Sequence, residues 1–120
     1  MEKAVVAALE DIKGRDIVVL KVAHLSPLFE RIVIASADST RQTKALADNV
    51  VQKLKAAGAH VLSIEGEQTG EWVLVDLGAI VVHVMQPTIR QYYNLEELWN
   101  QPEPKKPRVR KKAVQSQPAA

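Results

Sequence analysis

Cysteine is absent from the 120 residues. Without thiols, neither a disulfide framework nor a thiolate zinc site can hold the fold, and thiol nucleophiles are excluded. No apolar run approaches the roughly 20 residues that span a bilayer. The opening residues, MEKAVVAALEDIKG, set charges among their apolar positions and lack the basic start and continuous apolar run of a signal peptide. A cytoplasmic protein with no membrane partner is therefore expected. Catalytic signatures are missing too. There is no G-x-x-x-x-G-K phosphate loop and no D-x-D, and none of Ser36, Ser39 and Ser63 sits in a G-x-S-x-G elbow. His24, His60 and His83 fall singly on different segments, without the spacing of metal ligands. Neither a metal nor a cofactor is expected.

What is present fits one domain, followed by a segment of different character. Residues 1–100 hold 10 Lys and Arg against 13 Asp and Glu, whereas residues 101–120 hold 6 against 1. The basic character of the chain thus belongs to its last 20 residues. These contain four prolines, no aromatic residue and a cluster formed by Lys105, Lys106, Arg108, Arg110, Lys111 and Lys112. Such a segment buries too little apolar area to offset the entropy of ordering, and a disordered tail is expected. Its charge would attract RNA phosphates in a salt-dependent way.

Within residues 1–100 the apolar period changes several times. Residues 3–13 have helical spacing. DIVVLKVA and ERIVIAS are β-branched runs of strand length, separated by HLSPLF. The next segment, STRQTKALADNVVQKLKAAG, reads as a long helix: Ser39 and Gln42 stand in capping-box relation and Gly58 sits where a left-handed cap would close it. Leu46, Ala47, Val50, Val51 and Leu54 form its apolar stripe. HVLSIEG is a third strand. WVLVDLGAIVVHVM then supplies two more if Gly78 and Ala79 form a two-residue hairpin turn.

That register divides the hairpin into two faces. Val73, Val75, Leu77, Ile80, Val82 and Val84 make one, wholly aliphatic and suited to the long helix. Trp72, Leu74, Asp76, Val81, His83 and Met85 make the other, on which Asp76 and His83 are diagonal neighbours. A carboxylate without partners is costly to bury, so the second face is expected to be half exposed. An Asp and a His need a nucleophile, metal or oxyanion site to be catalytic, and no third component is evident. The mixed face has the composition of a docking surface; the competing possibility is that a C-terminal helix covers it as core. The α/β order also resembles a nucleotidyltransferase. Such enzymes hold divalent ions with clustered carboxylates, for which this chain offers Asp38 after the second strand and Glu65 and Glu67 around Gly66. An enzyme acting on a nucleotide is the alternative function.

DIVVL, IASADSTRQ, WVLVDLG, VVHVM and the closing R-x-x-Y-x-L-E-x-L-W, Arg90 to Trp99, together resemble the ribosomal silencing factor (RsfS, Iojap-like) family over about residues 4–99. The resemblance implies a mixed five-stranded sheet with a long packing helix, like a nucleotidyltransferase core without its catalytic carboxylates. It further implies a non-enzymatic protein that binds the large ribosomal subunit through a ribosomal protein on the intersubunit face. Such a protein blocks joining of the small subunit and represses translation when nutrients are short; family members can form homodimers. The matching positions Trp72, Asp76, His83 and Tyr93, with Leu74 and Met85 beside them, are the partner-binding residues that the resemblance implies here. The chain departs from the family's usual residues at Phe29–Arg31, Ala37, Ala79 and Met85. Nothing carries over to residues 101–120.

Overall fold

The computed structural model describes residues 1–99, so the expected boundary at residue 100 and the expected disorder of the basic tail lie outside the described residues. The first element is a helix, α1 (Glu2–Asp11), which buries Val5, Ala8 and Leu9. It stops two residues short of the sequence expectation because Lys13 turns to φ 62 and leads the chain through Gly14 into the sheet.

Five strands form one mixed sheet: β1 (Arg15–Lys21), β2 (Arg31–Ser36), β3 (Ser63–Glu65), β4 (Trp72–Asp76) and β5 (Ile80–Met85). Their spatial order is β1-β2-β5-β4-β3; β2 and β5 run parallel and every other pair is antiparallel. β1 carries an extra residue opposite β2, since Arg15 pairs with Ser36 but Val18 with Ile34. Asp16, at φ 50, absorbs this bulge. β3 is shorter than HVLSIEG suggested, although the Leu62 amide still donates to the Asp76 carbonyl at 2.8 Å.

Between β2 and β3 runs α2 (Thr40–Ala56). Ser39 Oγ accepts from the Gln42 amide at 3.1 Å, as a cap should. Gln42 Oε1 accepts from the Asp38 amide at 2.7 Å instead of the Ser39 amide, shifting the reciprocal bond of the capping box by one residue. At the other end Gly58, φ +90, donates to the Lys55 carbonyl while Ala59 donates to that of Leu54, the paired bonds of a Schellman closure. A lone 17-residue helix is only marginally stable in water. Leu46, Val50 and Leu54 are fully buried on the sheet, and at about 1.5–3 kcal/mol each their burial holds α2 in place.

The hairpin has the register inferred from sequence. Trp72 pairs with Met85, Leu74 with His83 and Asp76 with Val81, around Gly78 at φ +88. Val73, Val75, Leu77, Ile80, Val82 and Val84 all join the core beneath α1 and α2. The opposite face of the sheet has its own core, in which Leu20, Val22, Ile32, Ile34 and Met85 are buried against Phe29, Ile89, Leu95 and Trp99.

Two short helices supply this second layer: α3 (Pro87–Tyr93) and α4 (Leu95–Trp99). Asn94, in the left-handed conformation at φ 47, makes the corner between them. Arg90 fastens the corner to the sheet: Nε and Nη2 donate to the two carboxylate oxygens of Glu96 at 2.8 and 3.0 Å, and Nη1 donates to Ser36 Oγ at 2.8 Å. Hydrogen bonds from Arg90 hold the Glu96 carboxyl below its ordinary range. Because Arg90 and Ser36 are buried, this clamp is stronger than a surface ion pair. Arg90→Ala is expected to cost about 2–3 kcal/mol in urea unfolding, and Ser36→Ala about 1 kcal/mol. A change below about 0.5 kcal/mol for Arg90→Ala would mean that the clamp does not hold α3 and α4.

Candidate functional site

The mixed face of the hairpin is not uniformly half exposed. β5 is the middle strand of five, flanked by β2 and β4 and overlaid by α3 and α4. Its outward residues are therefore buried, with Val81 7 %, His83 8 % and Met85 0 % exposed. Met85 thus belongs to the second core, which corrects its placement on an open surface. Trp72, Leu74 and Asp76 on β4 stay half-buried, with Tyr93 of α3 packed on the Trp72 ring.

Asp76 and His83 share this face without bonding to one another. Asp76 Oδ1 accepts from the Gly78 amide at 2.8 Å, bracing the hairpin turn. His83 Nδ1 accepts from Trp72 Nε1 at 2.9 Å. An indole N–H can only donate, so Nδ1 must be bare and the imidazole proton must sit on Nε2. Burial favours the same neutral form and lowers the His83 pKa to about 4.

From His83 a row of rings leads outward. Trp72 lies 5.8 Å from His83 and 4.8 Å from Tyr93, and Tyr93 meets Tyr92 edge-on at 5.1 Å. The row runs from the buried middle of the sheet to solvent, where Tyr93 is 52 % and Tyr92 80 % exposed. The structure therefore brings Trp72, Leu74, Asp76 and Tyr93 onto an accessible edge and places His83 and Met85 beneath it. Tyr92 was missed by sequence reasoning; its adjacency to Tyr93 just before Asn94 was the available signal.

Gln86 was missed as well. Its amide donates to the Glu71 carbonyl at 3.0 Å, and its side-chain Nε2 donates to Gly70 O at 3.1 Å and Thr40 Oγ1 at 3.2 Å. It thereby ties the β3–β4 loop to the start of α2 and sets where Trp72 enters the sheet. Gly66 permits the close approach this needs, since a Cβ there would lie 2.0 Å from the Trp72 carbonyl oxygen.

Other chemistry is thin. A groove of about 590 Å³ lies between β1 and α3, but Ser36, Arg90 and Glu96 in its wall are engaged with each other. Glu65 and Glu67 are exposed on either side of Gly66, and Asp38 is ion-paired with Arg15. Among the described residues, no three His, Cys, Asp or Glu side chains gather closely enough to hold a metal ion. None of their helices is long and apolar enough to cross a membrane.

Comparison with known proteins places the chain in a family. The family described as "Ribosomal silencing factor during starvation" matches residues 1–120. Ribosomal silencing factor RsfS of Chromobacterium violaceum is 51 % identical over 104 residues, covering 87 % of this chain and 85 % of that protein. The Bacillus subtilis protein of the same name is 37 % identical over 97 residues, covering 81 % and 82 %. A mouse protein, "Mitochondrial assembly of ribosomal large subunit protein 1", is 35 % identical, but the match spans only 42 % of its length. A crystal structure from Chromobacterium violaceum superposes with a TM-score of 0.82 at 51 % identity, covering 87 % of each chain. One from Bacillus halodurans does so at 0.75 and 34 % identity, covering 82 % of this chain and 91 % of that one. The chain belongs to the ribosomal silencing factor family.

The buried neutral imidazole has a pH signature. His83 titrates near 6.5 unfolded and near 4 folded, so between those values the unfolded chain binds the extra proton. Its stability contribution is complete above pH 6.5 and is lost as pH falls toward 4. Measured by urea unfolding, the stability of wild type relative to His83→Gln should drop by roughly 3 kcal/mol from pH 7 to pH 4. A pH-independent difference would contradict a neutral buried His83.

Proposed function

We propose that this protein is a translation repressor acting by steric exclusion. It binds a ribosomal protein on the intersubunit face of the large ribosomal subunit and keeps the small subunit from joining, above all when nutrients are short. No bond is made or broken. The observation that carries the proposal is the aromatic row on the hairpin's open edge: Trp72 is held by His83 and Tyr93 on a face that the second layer leaves half covered. Aromatic anchors of this kind, already ordered, lose little side-chain entropy on docking. Family membership supports the ribosome as the target.

In this proposal Trp72, Leu74, Asp76 and Tyr93 meet the partner directly. His83 and Met85 act from below, as a hydrogen-bonded support and as packing. The active protein works in the cytoplasm, where ribosomes are, and residues 1–100 are its docking domain. Residues 101–120 add contacts to ribosomal RNA through their basic cluster, and two copies of the chain associate when they are off the ribosome. We read the layered architecture as a nucleotidyltransferase-like core without catalytic carboxylates, a reading supported by Asp38, which at the end of β2 is bound up with Arg15.

Cosedimentation with separated subunits tests the proposal. Wild type should pellet with large and not small subunits, and saturating protein should suppress subunit joining. Tyr93→Ala should weaken binding by about 2 kcal/mol or more, roughly 30-fold. Equal binding to both subunits, or normal joining at saturation, would overturn it. Removing residues 101–120 should lower affinity most at low salt and flatten its salt dependence. A truncated chain with unaltered affinity would leave the tail without a ribosomal contact.

A further inference from the structure

Beside the aromatic row lies a notch of about 280 Å³ lined by Glu65, Gly66, Trp72 and Leu74. Sheet register builds it. Glu65 pairs directly with Leu74, so both side chains stand on the same face, and Trp72, two residues along β4, is the diagonal neighbour of Glu65. Gly66 has no side chain to fill the space, and its φ of +87 turns the chain away just past Glu65. The notch therefore has one aromatic wall, one aliphatic wall and a carboxylate at its rim. Trp72 cannot swing to close it, because its indole N–H is engaged by His83 and its ring packs on Tyr93.

These walls select for one type of side chain. A phosphate would be repelled by Glu65, and an acidic side chain would be repelled as well. An aliphatic side chain would use the two apolar walls and gain nothing from the carboxylate. A lysine or arginine satisfies every wall: its methylene stem lies along Leu74, its cation sits over the Trp72 ring, and its N–H groups reach the carboxylate. In the structure Glu65 is exposed and forms no ion pair among the described residues, so a cation can reach it without displacing one.

Resting on the docking role of this face, we propose that the notch is the specificity pocket of the interface and takes a basic side chain projecting from the partner protein. The hairpin then contributes two different things. The aromatic row supplies contact area, and Glu65 selects a partner surface that carries a cation at the right distance from an apolar patch.

The test uses the full chain and isolated large ribosomal subunits, with affinity measured across a range of salt. Glu65→Gln should weaken binding several-fold and reduce its salt dependence, while Glu65→Lys should weaken it by at least about tenfold, since like charges then meet at the pocket. Trp72→Phe, which removes the indole N–H that His83 fixes, should also weaken binding while sparing the salt dependence. Glu10→Lys, on the far layer of the molecule, serves as the control and should bind as wild type does. Glu65 is exposed, so its variants should unfold at the same urea concentration as wild type. If wild type binds and Glu65→Lys binds equally well, the pocket is refuted and the docking face stands. If Glu65→Lys binds more tightly, the notch faces RNA phosphate and the basic side chain is excluded. If wild type does not bind large subunits, the docking role falls, and the pocket with it.

Discussion

A slip of one residue between β4 and β5 would put Trp72 and His83 on opposite faces of the sheet and push the three aliphatic side chains of one strand out of the layer beneath α1 and α2. The side-chain period of a strand is two, so no intermediate arrangement exists. What prevents the slip is a two-residue turn with Gly78 at φ +88, its amide held by Asp76, between strands whose valines have no polar atom to satisfy. Everything else about the face follows. Once register is set, Trp72 and His83 are diagonal neighbours, and the buried imidazole has an indole N–H to accept from. The carboxylate that looked like a catalytic partner for His83 has a backbone duty instead.

The two layers on the sheet differ in kind, and that difference leaves room for a docking surface. Beneath α1 and α2 the core is large and continuous, running from Val5 through Val50 to Val84. On the other side two helices of 7 and 5 residues pack on the sheet, and at β4 they leave Trp72, Leu74 and Asp76 half-buried, with Tyr93 against the Trp72 ring. Such short helices are not stable by themselves. Arg90, bridging Ser36 and Glu96, and the edge-on pair of Phe29 and Trp99 at 5.5 Å, give the layer its hold on the sheet. The open strip beside it is bounded by rings that are already packed, so binding there costs little further ordering.

Several elements could be read straight from the chain. α2 has its cap, its stripe and its closing glycine in sequence, because each is a local rule acting within four residues. The hairpin and its two faces were legible for the same reason: a turn glycine and alternating valines lie within 14 residues. The first helix and third strand were placed, but their ends were not, since Lys13 at φ 62 and the three-residue pairing of β3 depend on where the sheet lies. Of the expected site residues, Trp72, Leu74, Asp76 and Tyr93 lie at the accessible edge, while Met85 and His83 are buried.

Sequence by itself thus determined five strands with one long packing helix and the side of the hairpin that meets it, from patterns confined to neighbouring residues, while the family followed from a resemblance of motifs spread over the chain. Tertiary structure alone decided that β5 lies in the middle of the sheet. Burial of its outward face and the Arg90 clamp to Ser36, 54 positions earlier, depend on that placement, and the notch that joins Glu65 to Trp72 depends on the pairing of β3 with β4. Strand order brings β2 and β5 together across a long stretch of chain, and no local pattern of spacing or propensity records it.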